Sequence, residues 1–288
     1  MSNKYLIVYK GLTSVVPRSL QQFVKTKIED EFSSFDVELD FSGTRAGHDL
    51  VVKFENKMDV LPTYGESSRP DITNGAGTTV LSGESEIWVR AIRTMRLQVS
   101  PGTCEPAFPE TEAALGSIIA NCTIHETGHM LGMQSGGSDD GGHSTDPDNY
   151  MWDPGSMPGG DTHVSRIFEY TVKKDDTLSE IVQKYKNGTL DKCRLGPDDL
   201  TFQDVWEDPE NKKMGFVAHP TKSNVPGRRI NNWNFIYVGE KVALRNNNLR
   251  TQDYRRTFAG FLGKKTFTDD QKKIMKAFIA ERLAAGRG

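Results

Sequence analysis

Two histidines four residues apart with a glutamate between them, His125-Glu126-Thr127-Gly128-His129, are the residues of this chain best suited to chemistry. On a helix, positions i and i+4 project from one face, one turn apart, so both imidazoles can bind one tetrahedral Zn²⁺. Glu126, beside the first imidazole, can then serve as general base toward a water at the metal, which is the physical sense of His-Glu-x-x-His. The chain has only six histidines in 288 residues, so a chance match is uncommon. The apolar positions Ile118, Ile119, Cys122, Ile124 and Met130 have the helical spacing that this geometry needs. Gly132, three residues past His129, lets the helix stop and turn back, because glycine adopts positive φ cheaply.

The run His125 to Met133 (HETGHMLGM), followed by His143 to Pro154 (HSTDPDNYMWDP), resembles the zinc site of the metzincin metallopeptidases, and among them the matrixin type. In that pattern the third ligand is a histidine three residues beyond the glycine, and this chain has Ser135 there. His143 lies eight residues further on, opening the stretch that normally begins with the third ligand. The resemblance therefore implies a Gly/Ser/Asp insertion, Gln134 to Gly142, that displaces the third histidine without removing it. Asp139 or Asp140 is the competing third ligand; imidazole is the commoner partner at such sites, which favours His143. Otherwise the two aspartates sit solvated on the loop or near a structural Ca²⁺. Met151 matches the methionine of the Met-turn, the apolar floor under the metal. Trp152 either walls the pocket or packs in the core, and Tyr150 is a candidate donor to an oxyanion. A chain that kept such a fold but lost its metal is the rival reading, and Ser135 is what supports it.

The elements that must position these residues are legible in outline. Residues 4–9 read as a strand, and Pro17 opens a helix to Phe32 with Leu20, Val24, Ile28 and Phe32 at four-residue spacing and Phe23 flanking. Val37, Leu39 and Phe41 alternate as a second strand, and Leu50–Phe54 form a third. Beyond a Gly/Pro/Ser-rich loop, Thr78–Leu81 and Glu86–Ile92 read as two more strands, Pro101–Pro109 as a loop, and the zinc helix begins near Thr111. The resemblance implies a twisted mixed sheet over that helix, with substrate extended along an edge strand, for which Thr78–Leu81 is the candidate. Met151 through Gly160, rich in Pro and Gly, is expected to close the cleft below the metal.

From Phe168 the pattern changes. Tyr170 to Ile181 (YTVKKDDTLSEI) resembles the opening of a LysM module, a strand turning into a helix capped by Asp176 or Thr177. Thr201–Trp206 can be a second helix and Asn231–Leu244 the closing strand. Asp175 stands where the family carries a glycine, and a polar insertion of roughly Asn211–Arg228 stretches the module. The family binds N-acetylglucosamine chains of peptidoglycan or chitin through the strand–helix loops. Carried over, that implies Asp176 and Thr177 on one side, and Asn234, Ile236, Tyr237 and Gly239 on the other. A degenerate module that packs without binding sugar is the alternative. Residues 246–267 read as a polar, basic linker. Thr268-Asp269-Asp270-Gln271 has the capping-box pattern before a helix carrying Ile274, Met275, Phe278, Ile279 and Leu283, which either docks on the LysM-like part or binds a partner.

Composition bounds the rest. A net charge of −3 with both signs interspersed argues against a nucleic-acid footprint, and no stretch approaches the ~20 apolar residues of a membrane span. The three cysteines, Cys104, Cys122 and Cys193, are too few and too irregular for a disulfide framework; Cys122 reads as core. Cys104 lacks the surroundings of the inhibitory cysteine of matrixin propeptides. His48, His163 and His219 read as surface or linker residues. The first residues lack a signal-peptide core, so the expectation is cytoplasmic synthesis with export or injection by a specialised route. The reading is thus an α+β protein of a metzincin-like zinc peptidase domain (1–165), a LysM-like βααβ module (168–245) and a tail (246–288). Its expected cofactor is Zn²⁺ and its expected partners are a protein or peptide substrate and peptidoglycan or chitin. The alternatives are a peptidoglycan-directed cell-wall hydrolase, and a glycan-binding or injected structural protein with a vestigial zinc site.

Overall fold

The computed structural model describes residues 4–57, 65–68, 83–107, 111–133, 143–152, 167–214, 236–245, 249–251 and 262–285. It is a mixed α/β protein. The chain opens with β1 (Tyr5–Lys10), a short helix α1 (Leu12–Val15), α2 (Arg18–Phe32), β2 (Val37–Asp40) and β3 (Leu50–Glu55). Then come β4 (Gly65–Ser68), β5 (Gly83–Trp88), α3 (Val89–Thr94), β6 (Arg96–Ser100), β7 (Thr103–Pro106) and the long helix α4 (Glu112–Met130). Beyond the site loop follow β8 (Ile167–Thr171), α5 (Leu178–Lys186), α6 (Phe202–Glu207), α7 (Pro209–Met214), β9 (Lys241–Arg245), β10 (Leu249–Thr251) and α8 (Asp269–Ala284).

The main sheet has the order β2-β1-β3-β5-β4. Its strands run parallel except β4, which pairs antiparallel with β5 at the edge. Buried on both faces, β1 and β3 read as near-continuous apolar runs, as parallel strands do. Helix α2 turns Leu20, Val24, Ile28 and Phe32 inward, one apolar stripe at i+4 spacing, and packs against α4. The stretch Glu86–Ile92, expected as one strand, is strand only to Trp88 and then helix. The backbone leaves the extended region at Trp88, after which Val89, Ala91 and Ile92 bury one helical face. Likewise Pro101–Pro109 is not a plain loop: β6 and β7 form a hairpin across it, and β10 adds to β6 in parallel.

A second hydrophobic core forms around the β8–β9 ladder, with Leu178, Ile181, Val182 and Tyr185 of α5 and Val205 of α6 buried against Val242 and Leu244. Thr177, rather than Asp176, caps α5, in a full capping box with Glu180, and Thr201 caps α6 in the same way with Asp204. Asn211, at the start of the stretch read as a polar insertion, is 3 % exposed and bonds to the amide and carbonyl of Ala243 and the carbonyl of Val205. It thereby satisfies backbone groups that burial would otherwise leave unpaired.

Two expectations are corrected by long-range contacts. Cys104 and Cys193, 89 residues apart, form a disulfide with Cα atoms 5.6 Å apart, which joins the β6–β7 hairpin to the second core. Beside it Arg90 pairs with Asp198 and donates to the Lys186 carbonyl at 2.7 Å, and Leu195 packs on Trp88 and Ala91. The C-terminal helix α8 docks neither on the second core nor away from the protein. Phe267, Met275 and Ile279 belong to the first core, with Phe278 edge-on to Tyr5 at 6.3 Å. The chain thus leaves the first core after Trp152, builds the second, and returns to finish the first.

Candidate metal centre

Helix α4 is buried almost all round: Ile118, Ile119, Ala120, Asn121, Thr123, Ile124, Thr127 and Met130 each lie within 2 % of full burial. The two buried threonine hydroxyls donate to carbonyls four residues back, Thr123 to Ile119 and Thr127 to Thr123, each at 2.7 Å, so neither is left unsatisfied. Thr111 caps its N-terminus. At the other end Gly132 has φ 103°, and the amide of Met133 returns to the carbonyl of Gly128 at 3.1 Å. This is the turn expected of a glycine in the left-handed region. It also brings the Met133 carbonyl to within 3.0 Å of His129 Nδ1.

His125 Nδ1 faces the carbonyl of Tyr150 at 2.7 Å. A carbonyl oxygen only accepts, so each Nδ1 carries the proton, and each Nε2 of a neutral ring presents a lone pair. The two Nε2 atoms lie 3.0 Å apart, and His143 Nε2 lies 3.1 Å from that of His129. Lone pairs this close repel unless a cation sits between them. A proton is a poor occupant, since burial, with His125 and His143 adding to it, lowers the pKa of His129 to about 4. A metal ion fits: three tetrahedral nitrogen ligands at ~2.0–2.1 Å from Zn²⁺ would stand about 3.3 Å apart. The ligand atoms of His125, His129 and His143 lie within 4.8 Å of one another, close enough to bind one metal ion and compatible with zinc. Carbonyl partners behind His125 and His129 supply the outer support that orients such ligands.

Glu126 is half-buried between the two helix histidines. Met151 is fully buried with its sulfur under Gly128, where an added Cβ would lie 2.8 Å from Sδ and 3.2–3.3 Å from the ring of Phe267. The absence of a side chain at Gly128 is thus what lets this floor approach the helix. Trp152 is 3 % exposed with Lys265 Nζ 4.8 Å from its ring centre, so it packs in the core. The Tyr150 ring lies 5.0 Å from that of Phe267 and its hydroxyl meets Glu31, so the side chain serves packing while the carbonyl serves the site.

Ser135, Asp139, Asp140 and the candidate edge strand Thr78–Leu81 lie outside the described residues, as do Asn234, His163 and His219. Among the described residues the main sheet is edged by β2 and β4, and β4, within the stretch read as a Gly/Pro/Ser-rich loop, is the edge that packs near α4. Four residues carry no alternation strong enough to announce a strand. In the second core the loops after β8 and before β9 lie side by side: Gly239 donates to the Val172 carbonyl at 2.9 Å, and Val172 to that of Glu240 at 2.8 Å. Asp176 is committed internally, accepting from Tyr170 Oη at 2.6 Å, Lys173 N at 2.8 Å and Lys184 Nζ at 2.9 Å. The Thr177 hydroxyl is spent on its cap, Ile236 packs against the core and Tyr237 is half-buried. His48 lies beside the Arg45 carbonyl and is not one of the grouped histidines.

No family model, no curated protein and no solved structure matches this chain. No helix among the described residues is long and apolar enough to cross a membrane.

Proposed function

We propose that the chain is a zinc-dependent endopeptidase of the metzincin type. The observation that carries this reading is the convergence of three histidine Nε2 atoms beside Glu126, two from one helix turn and one from the loop that also supplies the floor. Zinc bound there would supply a Lewis acid that polarises a carbonyl and acidifies a water. Glu126 takes the proton of the attacking water and passes it to the leaving amine. His125 and His129 are held in orientation by the Tyr150 and Met133 carbonyls, which accept from their Nδ1–H groups. The test is zinc content and casein cleavage by the purified chain, with Glu126→Ala beside it. The variant should keep zinc and lose about 10²–10⁴ in rate. A wild-type protein that takes up no zinc, or a variant with near-normal turnover, would overturn the reading.

The apposed loops of the second core support a LysM-like role, an anchor on N-acetylglucosamine polymers, with wall proteins or peptidoglycan stem peptides as substrate. A disulfide between the two cores favours an oxidising compartment, which agrees with export or injection. Co-sedimentation of the full chain with purified sacculi or chitin tests the anchor. Release of stem peptides from sacculi, set against casein cleavage, separates a wall hydrolase from a protease.

A further inference from the structure

Residues 143–152 give the centre three things: the third imidazole, the carbonyl that orients the first, and the methionine floor. They are gripped from behind by residues that arrive only after the second core. Thr266 exchanges backbone bonds with Asp148 and Tyr150, at 2.9 and 3.3 Å. Gln271 accepts from Asn149 Nδ2 at 2.9 Å, while Asn149 Oδ1 accepts from the Met151 amide at 2.7 Å. Lys265 is the unexpected member. It is 5 % exposed, and its Nζ donates to the carbonyls of Pro147 at 2.6 Å and Asn149 at 3.4 Å, with the Trp152 ring as its third neighbour. Burying an ammonium is costly, and an apolar side chain of the same length would fill the space without that cost. What only the ammonium offers is several donors at one point, able to hold two carbonyls of one loop in fixed relation.

We propose that Lys265 is a positioning residue of the metal centre: by clamping the Pro147 and Asn149 carbonyls it sets the course of residues 143–152. It thereby fixes the His143 imidazole and the Tyr150 carbonyl against His125 and His129. The proposal rests on the reading of the three histidines as metal ligands. Removing an outer support of this kind typically lowers metal affinity about 10–100-fold.

The experiment uses the full chain as wild type, Lys265→Met, Lys265→Gln, Lys265→Arg and His143→Ala. Zn²⁺ affinity is read by chelator competition and ligand geometry by the visible spectrum of bound Co²⁺. Lys265→Met should weaken zinc about tenfold or more and alter the Co²⁺ spectrum, Lys265→Gln should do so less, and Lys265→Arg should restore most of both. If His143→Ala binds zinc like wild type, the ligand reading fails. If His143→Ala loses zinc while Lys265→Met matches wild type in affinity and spectrum, the ligands stand and the role of Lys265 is overturned. Should Lys265→Met not fold, Lys265→Gln decides. If neither reaches the wild-type circular dichroism, Lys265 serves the fold alone and the proposal is likewise overturned.

Discussion

His125 Nδ1 and the carbonyl oxygen of Tyr150 meet at 2.7 Å across 25 residues of chain, so the loop that brings the third histidine also sets the tautomer of the first. Substitution of His143 therefore tests the ligand set without disturbing that contact. His143→Ala should abolish stoichiometric zinc binding, measured by metal analysis after dialysis, because two protein ligands hold the ion weakly. Ser135→Ala should leave zinc in place, as should Asp139→Ala with Asp140→Ala. Full zinc in the His143 variant with loss in the double aspartate variant would assign the third ligand to a carboxylate.

Gly128→Ala tests the floor. The new methyl would gain the ~1 kcal/mol by which alanine exceeds glycine in a helix, but it lands 2.8 Å from Met151 Sδ and 3.2–3.3 Å from the Phe267 ring. Met151 can swing aside; the ring, packed between Tyr150 and Phe32, has less room. Overpacking of about 1–3 kcal/mol should win. A melting temperature equal to or above wild type in circular dichroism would show that the floor yields more readily than its packing indicates.

Asp175 holds φ 69°, a left-handed conformation that costs side chains other than glycine about 1–2 kcal/mol, aspartate at the low end. Asp175→Gly should raise the denaturant midpoint of the second core, a gain of up to about 1 kcal/mol in unfolding free energy, and Asp175→Ala should not. A lower midpoint for the glycine variant would mean that the carboxylate contributes more than the backbone strain removes.

Burial alone would raise the pKa of Asp176, but its bonds from Tyr170, Lys184 and the Lys173 amide outweigh burial and lower it. A folded value below the unfolded one means that this carboxylate stabilises the fold above the ordinary aspartate range. The contribution is lost as pH falls through the lowered value. Asp176→Asn should flatten the acid limb of stability, followed by urea unfolding from pH 6 downward. An unchanged limb would place the acid sensitivity elsewhere.

The disulfide makes a further prediction. Cys104→Ser should cost about 2–4 kcal/mol and let the second core melt apart from the first, since the contacts described beside the disulfide are only the Arg90 bonds to Asp198 and the Lys186 carbonyl and the packing of Leu195. Calorimetry with and without reductant reads this directly. Identical single transitions in both conditions would show that packing, rather than the cross-link, holds the two together.

What could be read from the sequence was local. His125, Glu126, His129 and Gly132 fall within one helix and its turn, so spacing alone places them. His143 and Met151 could be ordered after them only through the resemblance, whose local pattern they follow. The apolar periodicity of β1, α2 and β3 is equally direct. Hidden were the relations that span the chain. Lys265 meets Pro147 across 118 residues and Gln271 meets Asn149 across 122, and no periodicity connects such positions. Three cysteines at irregular spacing gave no reason to pair Cys104 with Cys193. The capping box at Thr268 announced a helix, but its apolar stripe could not say which core would cover it.

The interruption of the first core also has a consequence for biosynthesis. Residues 167–245 are translated before 262–285, so a nascent chain holds its helix histidines and their loop for some time without Lys265, Thr266, Phe267 or Gln271 behind them. Domains tend to fold as their residues emerge from the ribosome, and here the second core can settle while the first still waits for its last helix. Until that helix arrives, the loop bearing His143 lacks its backing. The centre is thus assembled last, and a chain cut short between residues 153 and 261 would carry the complete His-Glu-x-x-His helix and its loop yet lack the support that positions the third histidine.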